Sequence, residues 1–178
     1  MTSTLQPITQ AVHRVRGAFQ RRPEAAVHAD TTATARWQGG SRMATSAPNG
    51  MTLLTDMPPE LGGTGDQVTP GWLMRAGLAS CAATSIMLTV AGEGLDLTLL
   101  EVQVDSVSDS RGLLCMNDAS GQPVNAGPSQ VQLQVRISAP GVKPEQLRAL
   151  VERALQGSPV PSALRQTTPV ALQLDIVG

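Results

Sequence analysis

The stretch Thr69-Pro70-Gly71-Trp72-Leu73-Met74-Arg75-Ala76-Gly77-Leu78-Ala79-Ser80-Cys81-Ala82-Ala83 begins the longest helix that the sequence predicts. Thr69 is a good N-cap residue, and Pro70 suits the first helical position because its missing N–H would have no partner there. The apolar run continues to Val90, and Gly92 follows it as a helix terminator. Since small or apolar residues cover every side, the pattern predicts a helix buried in a core.

A membrane-spanning helix is the alternative interpretation of this run. Residues 76–91 carry no charge, but they fall short of the ~20 residues that cross a bilayer. The run is rich in alanine, serine and threonine, and the sequence has no second candidate span. We therefore predict a core helix and no membrane partner.

The segments on both sides of this helix predict an α+β fold with antiparallel sheets. A short amphipathic helix is predicted before it, and a second helix opens at Pro144 and stops at Gly157. Residues 57–70 are rich in proline and glycine, which predicts a loop with a defined path. We divide the chain into an N-terminal helical extension, residues 1–29, and one domain, residues 30–178. The predicted strands are Ala33–Trp37, Met51–Thr55, Leu100–Asp105, Val131–Ile137 and Val170–Ile176.

Composition limits the classes of function. A net charge of −1 and 2% aromatic residues argue against a nucleic-acid partner, which needs a basic surface or stacking platforms. Two histidines and two cysteines match no zinc-binding spacing, so we predict no metal and no cofactor. The first residues lack an apolar run typical of an export signal, so we expect a cytoplasmic protein with free thiols.

Three segments together resemble the OsmC/Ohr family, the osmotically inducible protein C and organic hydroperoxide resistance proteins. They are Leu61-Gly62-Gly63, the helix start from Thr69 to Cys81, and Gly157-Ser158-Pro159-Val160-Pro161. The resemblance covers about Ala33 to Val177. It implies an OsmC-like fold, in which antiparallel sheets surround a long buried central helix, and an intertwined homodimer with its thiols near the interface. It also implies thiol-dependent reduction of organic hydroperoxides.

Two departures mark the chain as a divergent member. The family's second, resolving cysteine precedes the proline of its second motif, where this chain has Ser158 before Pro159. A serine hydroxyl forms no disulfide. The family's glutamate after the helix-opening proline is replaced by Gly71. The resemblance implies that this glutamate holds an arginine against the thiolate, so both losses concern function and leave the fold intact.

Cys81 and Arg42 are the candidate catalytic residues. Cys81 lies about 16 Å along the helix from Pro70, beyond the reach of the helix dipole, so its thiolate needs a nearby cation. Arg42 is the best match to the family's arginine, and Arg36 is the alternate. The competing interpretations are a core-filling cysteine and an ordinary solvated arginine. Cys115 is either a substitute resolving cysteine or a packing residue.

Two functions therefore remain open. The first is a peroxidase that uses Cys81 as nucleophile, with a small-molecule peroxide as substrate and an external thiol as reductant. The alternative is a non-catalytic OsmC-like homodimer that binds a small hydrophobic molecule.

Overall fold

The computed structural model describes residues 4–166 and 168–177. Five helices, five strands and two short 3-10 turns make up this part of the chain. The 3-10 turns span Pro23–Ala26 and Pro59–Leu61. In chain order the other elements are α1 Gln6–Arg21, β1 Thr34–Trp37, β2 Met43–Ser46, β3 Thr52–Thr55, α2 Pro70–Gly92, β4 Leu99–Val107, α3 Ser110–Leu113, β5 Gln130–Ser138, α4 Pro144–Gln156 and α5 Pro159–Arg165.

The central helix α2 begins as the sequence predicts. The Trp72 N–H donates to Thr69 Oγ1 at 3.2 Å, which satisfies one of the unpaired donors of the first turn. Every fourth residue is buried, which gives one stripe of contact with the rest of the chain: Leu78, Ala82, Ile86 and Val90. The opposite line is exposed, and it consists of Gly77, Ser80, Thr84 and Leu88.

Within the described residues, α2 is the one helix long and apolar enough to cross a membrane. This statement rests on length and composition alone, and the core helix of a water-soluble domain can be equally long and apolar. Here α2 packs against α1, β4, α4 and α5.

The strands form two separate antiparallel sheets. One has three strands in the order β1-β2-β3, and the other is a ribbon of β4 and β5 whose register runs from Leu99 opposite Ser138 to Val107 opposite Gln130. The mixed composition and antiparallel pairing confirm the predicted α+β class. β2 was not predicted, because Met43–Ser46 is too short and too polar to show a clear alternation.

Two clusters of buried side chains lie between α2, the ribbon and the remaining helices. The larger one joins Ile86, Val90 and Ala91 of α2 to Ala154 of α4 and to Leu5, just before α1. The N-terminal helix is therefore packed on the core, and the boundary at residue 29 stays a prediction. The smaller cluster holds Ala139, Leu147 and Leu150.

The predicted last strand, Val170–Ile176, is wrong for this structure. Residues 168–177 carry no secondary structure, and the four alternating apolar side chains are between 72% and 95% exposed: Val170, Leu172, Leu174 and Ile176. Alternation shows that a segment suits a half-buried strand, but a strand also needs a neighbour to accept its hydrogen bonds. No such neighbour lies beside these residues in the described chain.

Candidate active site

The Cys81 thiol lies where α2 meets the corner between α4 and α5. Its Sγ is 3.4 Å from Ser158 Oγ, and the Val160 backbone N–H donates to it at 3.5 Å. The residue is partly exposed, while Ser158 is completely buried. The sulfur is thus reachable from solvent on one side and held by two polar contacts on the other.

The second motif of the sequence supplies both of these contacts. Gly157 ends α4, Ser158 is the N-cap residue of α5, and Pro159 occupies its first turn. This corner brings the N–H of Val160, in the first turn of α5, to face the sulfur. The two motifs that resemble the family are therefore in contact, although 77 residues separate Cys81 from Ser158.

Ser85 extends the polar contacts of the sulfur by one residue. It lies one turn after Cys81 on α2, and its Oγ donates to Ser158 Oγ at 3.0 Å. All of these groups are uncharged. Within the described residues, the hydrogen-bond partners of the thiol therefore carry no full positive charge.

Arg42 lies elsewhere, directly before β2. Its Nη2 donates to Asp66 Oδ1 at 2.5 Å and to Thr64 Oγ1 at 2.9 Å, and lies 3.4 Å from Asp56 Oδ2. The carboxylates of Asp66 and then Asp56 raise the pKa of Arg42. Cys81 is not among its hydrogen-bond partners in residues 4–166 and 168–177. A single chain does not bring the two predicted catalytic residues together.

Asp56 lies at the centre of the hydrogen-bond network around Arg42, and the sequence analysis missed it. Its side chain is 2% exposed. It accepts hydrogen bonds from the hydroxyls of Ser41 and Thr64, and from the N–H groups of Thr64 and Met57. These bonds, led by the one from Ser41, lower the pKa of the Asp56 carboxyl far below its ordinary value. The available signal was an aspartate that directly follows an apolar strand and precedes Pro58-Pro59.

The other candidate residues lie outside both groups. Cys115 is an exposed free thiol in the turn after α3, with a φ of 54°. Arg36 is exposed on β1, opposite Ala44. Arg75 donates to Ser106 Oγ at 3.2 Å and so points towards β4.

An apolar cavity of about 290 Å³ lies beside α5. Leu78 contributes to its wall from one turn before Cys81, and the other wall residues come from β5, α4 and α5: Val131, Leu133, Leu155, Pro161, Leu164 and Arg165. Across the described residues, no three His, Cys, Asp or Glu side chains are grouped so that they could hold a metal ion.

Comparisons with known proteins show the family to which this chain belongs. Residues 63–173 match the family model described as OsmC-like protein. The organic hydroperoxide resistance proteins of Xanthomonas axonopodis pv. citri and Xanthomonas campestris pv. phaseoli are each 32% identical over 148 residues, which is 82% of this chain and 92% of theirs.

Two solved structures show the same fold. An OsmC-like protein from Mycoplasma pneumoniae superposes with a TM-score of 0.65 at 16% identity, over 79% of this chain and 91% of that one. An organic hydroperoxide resistance protein from Elizabethkingia anophelis gives a TM-score of 0.57 at 22% identity, again over 79% and 91%. By fold, by sequence and by the placement of its two motifs, the chain belongs to the OsmC-like protein family.

Proposed function

We propose that this protein reduces organic hydroperoxides with Cys81 as the nucleophile, as part of a defence against oxidative stress. The observation that carries the proposal is the partly exposed Cys81 sulfur, held 3.4 Å from the buried Ser158 hydroxyl and facing the Val160 N–H. Its relatives at 32% identity are organic hydroperoxide resistance proteins. A free cysteine that is accessible and hydrogen-bonded can react, whereas one sealed in hydrocarbon is inert.

The reaction proceeds in two stages. The Cys81 thiolate attacks one oxygen of the hydroperoxide, so that an S–O bond forms, the O–O bond breaks and the alcohol leaves after taking up a proton. The sulfur is now a sulfenic acid. Because Ser158 supplies no thiol, an external thiol attacks this sulfur and releases water. A second thiol molecule then displaces Cys81 from the mixed disulfide and regenerates it.

Arg42 is the proposed partner of the thiolate, and we assign it to a second copy of the chain. Within one chain its bonds all lie in the loop before α2. They all use Nη2, so Nη1 and Nε have no hydrogen-bond partner in the described residues. A guanidinium has five N–H donors in a fixed fork, so these two nitrogens can face an anion while Nη2 stays bound.

Two exposed features support the intertwined homodimer on which this assignment depends. The line from Gly77 to Leu88 on α2 is exposed. Apart from the adjacent residues and the backbone of α2 itself, no atom of the described residues lies within 4 Å of a Cβ placed at Gly77. Residues 168–177 present alternating apolar side chains without a neighbouring strand. Sedimentation equilibrium should therefore give a dimer, and the double variant Leu172→Asp, Leu174→Asp should give mainly monomers.

Turnover with purified protein tests the chemistry. Cumene hydroperoxide and an excess of dithiol are added, and thiol consumption is followed. We expect turnover that Cys81→Ser abolishes and Cys115→Ser retains. Equal turnover in all three proteins would exclude Cys81 as the nucleophile. A cytoplasmic location belongs to the same proposal, because a reducing compartment supplies the external thiol.

The second candidate function is a non-catalytic homodimer that binds a small hydrophobic molecule. The apolar cavity of about 290 Å³ beside α5 favours it, as does the lack of an Arg42–Cys81 contact within one chain. In that case the protein shows no turnover, Cys81 stays unreactive to thiol reagents until the protein unfolds, and a small apolar dye binds with an affinity that Leu78→Gln lowers.

A further inference from the structure

The hydrogen bonds of Arg42 fix the direction of its guanidinium. Nη2 lies between Asp66 Oδ1, at 2.5 Å, and Thr64 Oγ1, at 2.9 Å. The Asp66 contact is a charge-assisted bond, which is stronger than a bond between neutral groups. The Asp56 oxygen is farther away, at 3.4 Å. Of the three contacts of Nη2, the one with Asp66 is therefore the strongest.

The loop that carries Asp66 is itself held in place. Thr64 Oγ1 lies 2.7 Å from Asp56 Oδ2 and 2.5 Å from Asp66 Oδ1, so it links the buried carboxylate to the half-exposed one. Gly63 passes so close to the Met57 carbonyl that a Cβ would lie 1.7 Å from its oxygen. These contacts restrict the backbone conformation of the loop, and in that conformation Asp66 lies against Arg42.

The first turn of α2 offers no acidic side chain for this part. Gly71, in its first turn, has no side chain, and α2 has no acidic residue in that turn. The Asp66 carboxylate is half exposed. Through Asp66 and Thr64, the loop before α2 therefore supplies the polar groups that can orient Arg42.

We infer that Asp66 is a positioning residue of the proposed peroxidase site, which turns Nη1 and Nε of Arg42 towards the reacting sulfur. The inference rests on the proposed function. Asp66 acts only through Arg42 and touches neither the sulfur nor the substrate.

The test measures the reactivity of Cys81 in a Cys115→Ser background, where every reaction reports on one thiol. The rate of alkylation by iodoacetamide and the rate of oxidation by cumene hydroperoxide are followed from pH 5 to pH 9. The variants are Arg42→Gln, Asp66→Asn, the double variant and Asp66→Glu. Asp109→Asn is the matched control, because it removes a carboxylate that lies 2.6 Å from another arginine, Arg111.

We expect Arg42→Gln and Asp66→Asn each to slow both reactions about tenfold near pH 7, the effect of losing one charge-assisted hydrogen bond. The loss should be smaller at pH 9 than at pH 7. The double variant should be no slower than Arg42→Gln alone. Asp66→Glu should recover part of the rate, and Asp109→Asn should match the parent protein.

Three results would overturn the inference. If Arg42→Gln is slow and Asp66→Asn matches the control, Asp66 does not position Arg42, and the proposed function stands. If the rate losses of the two single variants multiply in the double variant, Asp66 affects the rate independently of Arg42, through the loop as a whole. If neither variant changes either rate, the arginine assignment and this inference fall together. Thermal unfolding of Asp66→Asn separates a folding defect from any of these results.

Discussion

Cys81 and Arg42 lie in surroundings of opposite character. The cysteine half of the proposed site (Cys81, Ser85, Ser158 and Val160) consists of hydroxyls and a backbone N–H, placed by the packing of α2 against the α4–α5 corner. The arginine half (Ser41, Arg42, Asp56, Thr64 and Asp66) is a network of charges and short hydrogen bonds that joins the turn before β2 to the segment between β3 and α2.

This difference indicates how the two halves can cooperate. The arginine half holds two carboxylates against one guanidinium, so it does not attract a distant thiolate. Its contribution must come from N–H donors aimed at short range, since a hydrogen bond from a charged donor depends on direction and contact. The cysteine half is neutral and open on one side. The halves therefore suit each other only when they are in contact, which again points to a second copy of the chain.

The largest effect is expected when the cysteine half is made into a redox pair. In Ser158→Cys a second sulfur replaces the oxygen that lies 3.4 Å from Cys81 Sγ, and a sulfenic acid at Cys81 is attacked by the nearest thiol. One equivalent of cumene hydroperoxide should convert nearly all of the variant to a Cys81–158 disulfide, which mass spectrometry of non-reduced peptides detects. Ser85→Cys is the control, because its position on the same helix does not suit a disulfide. A persistent sulfenic acid in Ser158→Cys contradicts the prediction.

A substitution at Gly63 should break the arginine half and leave the cysteine half folded. A Cβ there would lie 1.7 Å from the Met57 carbonyl oxygen and 2.9 Å from Asp56 Oδ1, so the loop must move. Gly63→Ala should lower the free energy of unfolding by about 1–3 kcal/mol, the usual result of overpacking at a rigid site. Urea denaturation measures it. Gly127→Ala, where a Cβ meets one atom at 3.5 Å, should stay within about 0.5 kcal/mol of the parent protein.

Acid should weaken the arginine half before it affects the cysteine half. Hydrogen bonds from Ser41 and Thr64 lower the pKa of the Asp56 carboxyl below the ordinary 3.8, so the folded state binds this proton less readily than the unfolded state. The stability that Asp56 contributes is therefore present above pH 3.8 and is lost as the pH falls below it. Thermal midpoints should fall more steeply from pH 5 to pH 3 in the parent protein than in Asp56→Asn, which is less stable at neutral pH. Asp105→Asn, at an exposed site, should follow the parent curve.

Much of the framework that carries the cysteine half could be predicted from sequence, because local patterns encode it. The cap at Thr69, the length of α2 and the stop at Gly157 are local signals, and the structure confirms each of them. The resemblance to the family implied that Ser158 occupies the place of the resolving cysteine, near Cys81. That Ser85 joins them depends on how α2 packs, which no local pattern shows.

The arginine half could not be predicted to the same degree. In the sequence, nothing distinguishes Ser41, Asp56 and Asp66 from other polar residues. Their role depends on hydrogen bonds between residues that lie 14 to 24 positions apart in the chain. The prediction of the last strand was wrong for a related reason. The alternation from Val170 to Ile176 indicates which side chains prefer burial, but it does not specify the surface that buries them.

The smallest effect is expected at the cap of α2, which belongs to neither half. Thr69→Ala removes the acceptor of the Trp72 N–H and should lower the free energy of unfolding by about 1 kcal/mol. Thr69→Asp keeps an acceptor and should lie close to the parent protein in urea denaturation. Because caps and dipoles act within the first turn, and Cys81 lies about three turns further on, its rate of alkylation should be the same in both variants. A slower rate in Thr69→Ala would mean that the start of α2 helps to set the reactivity of Cys81, and the sharp division between the two halves would then be wrong.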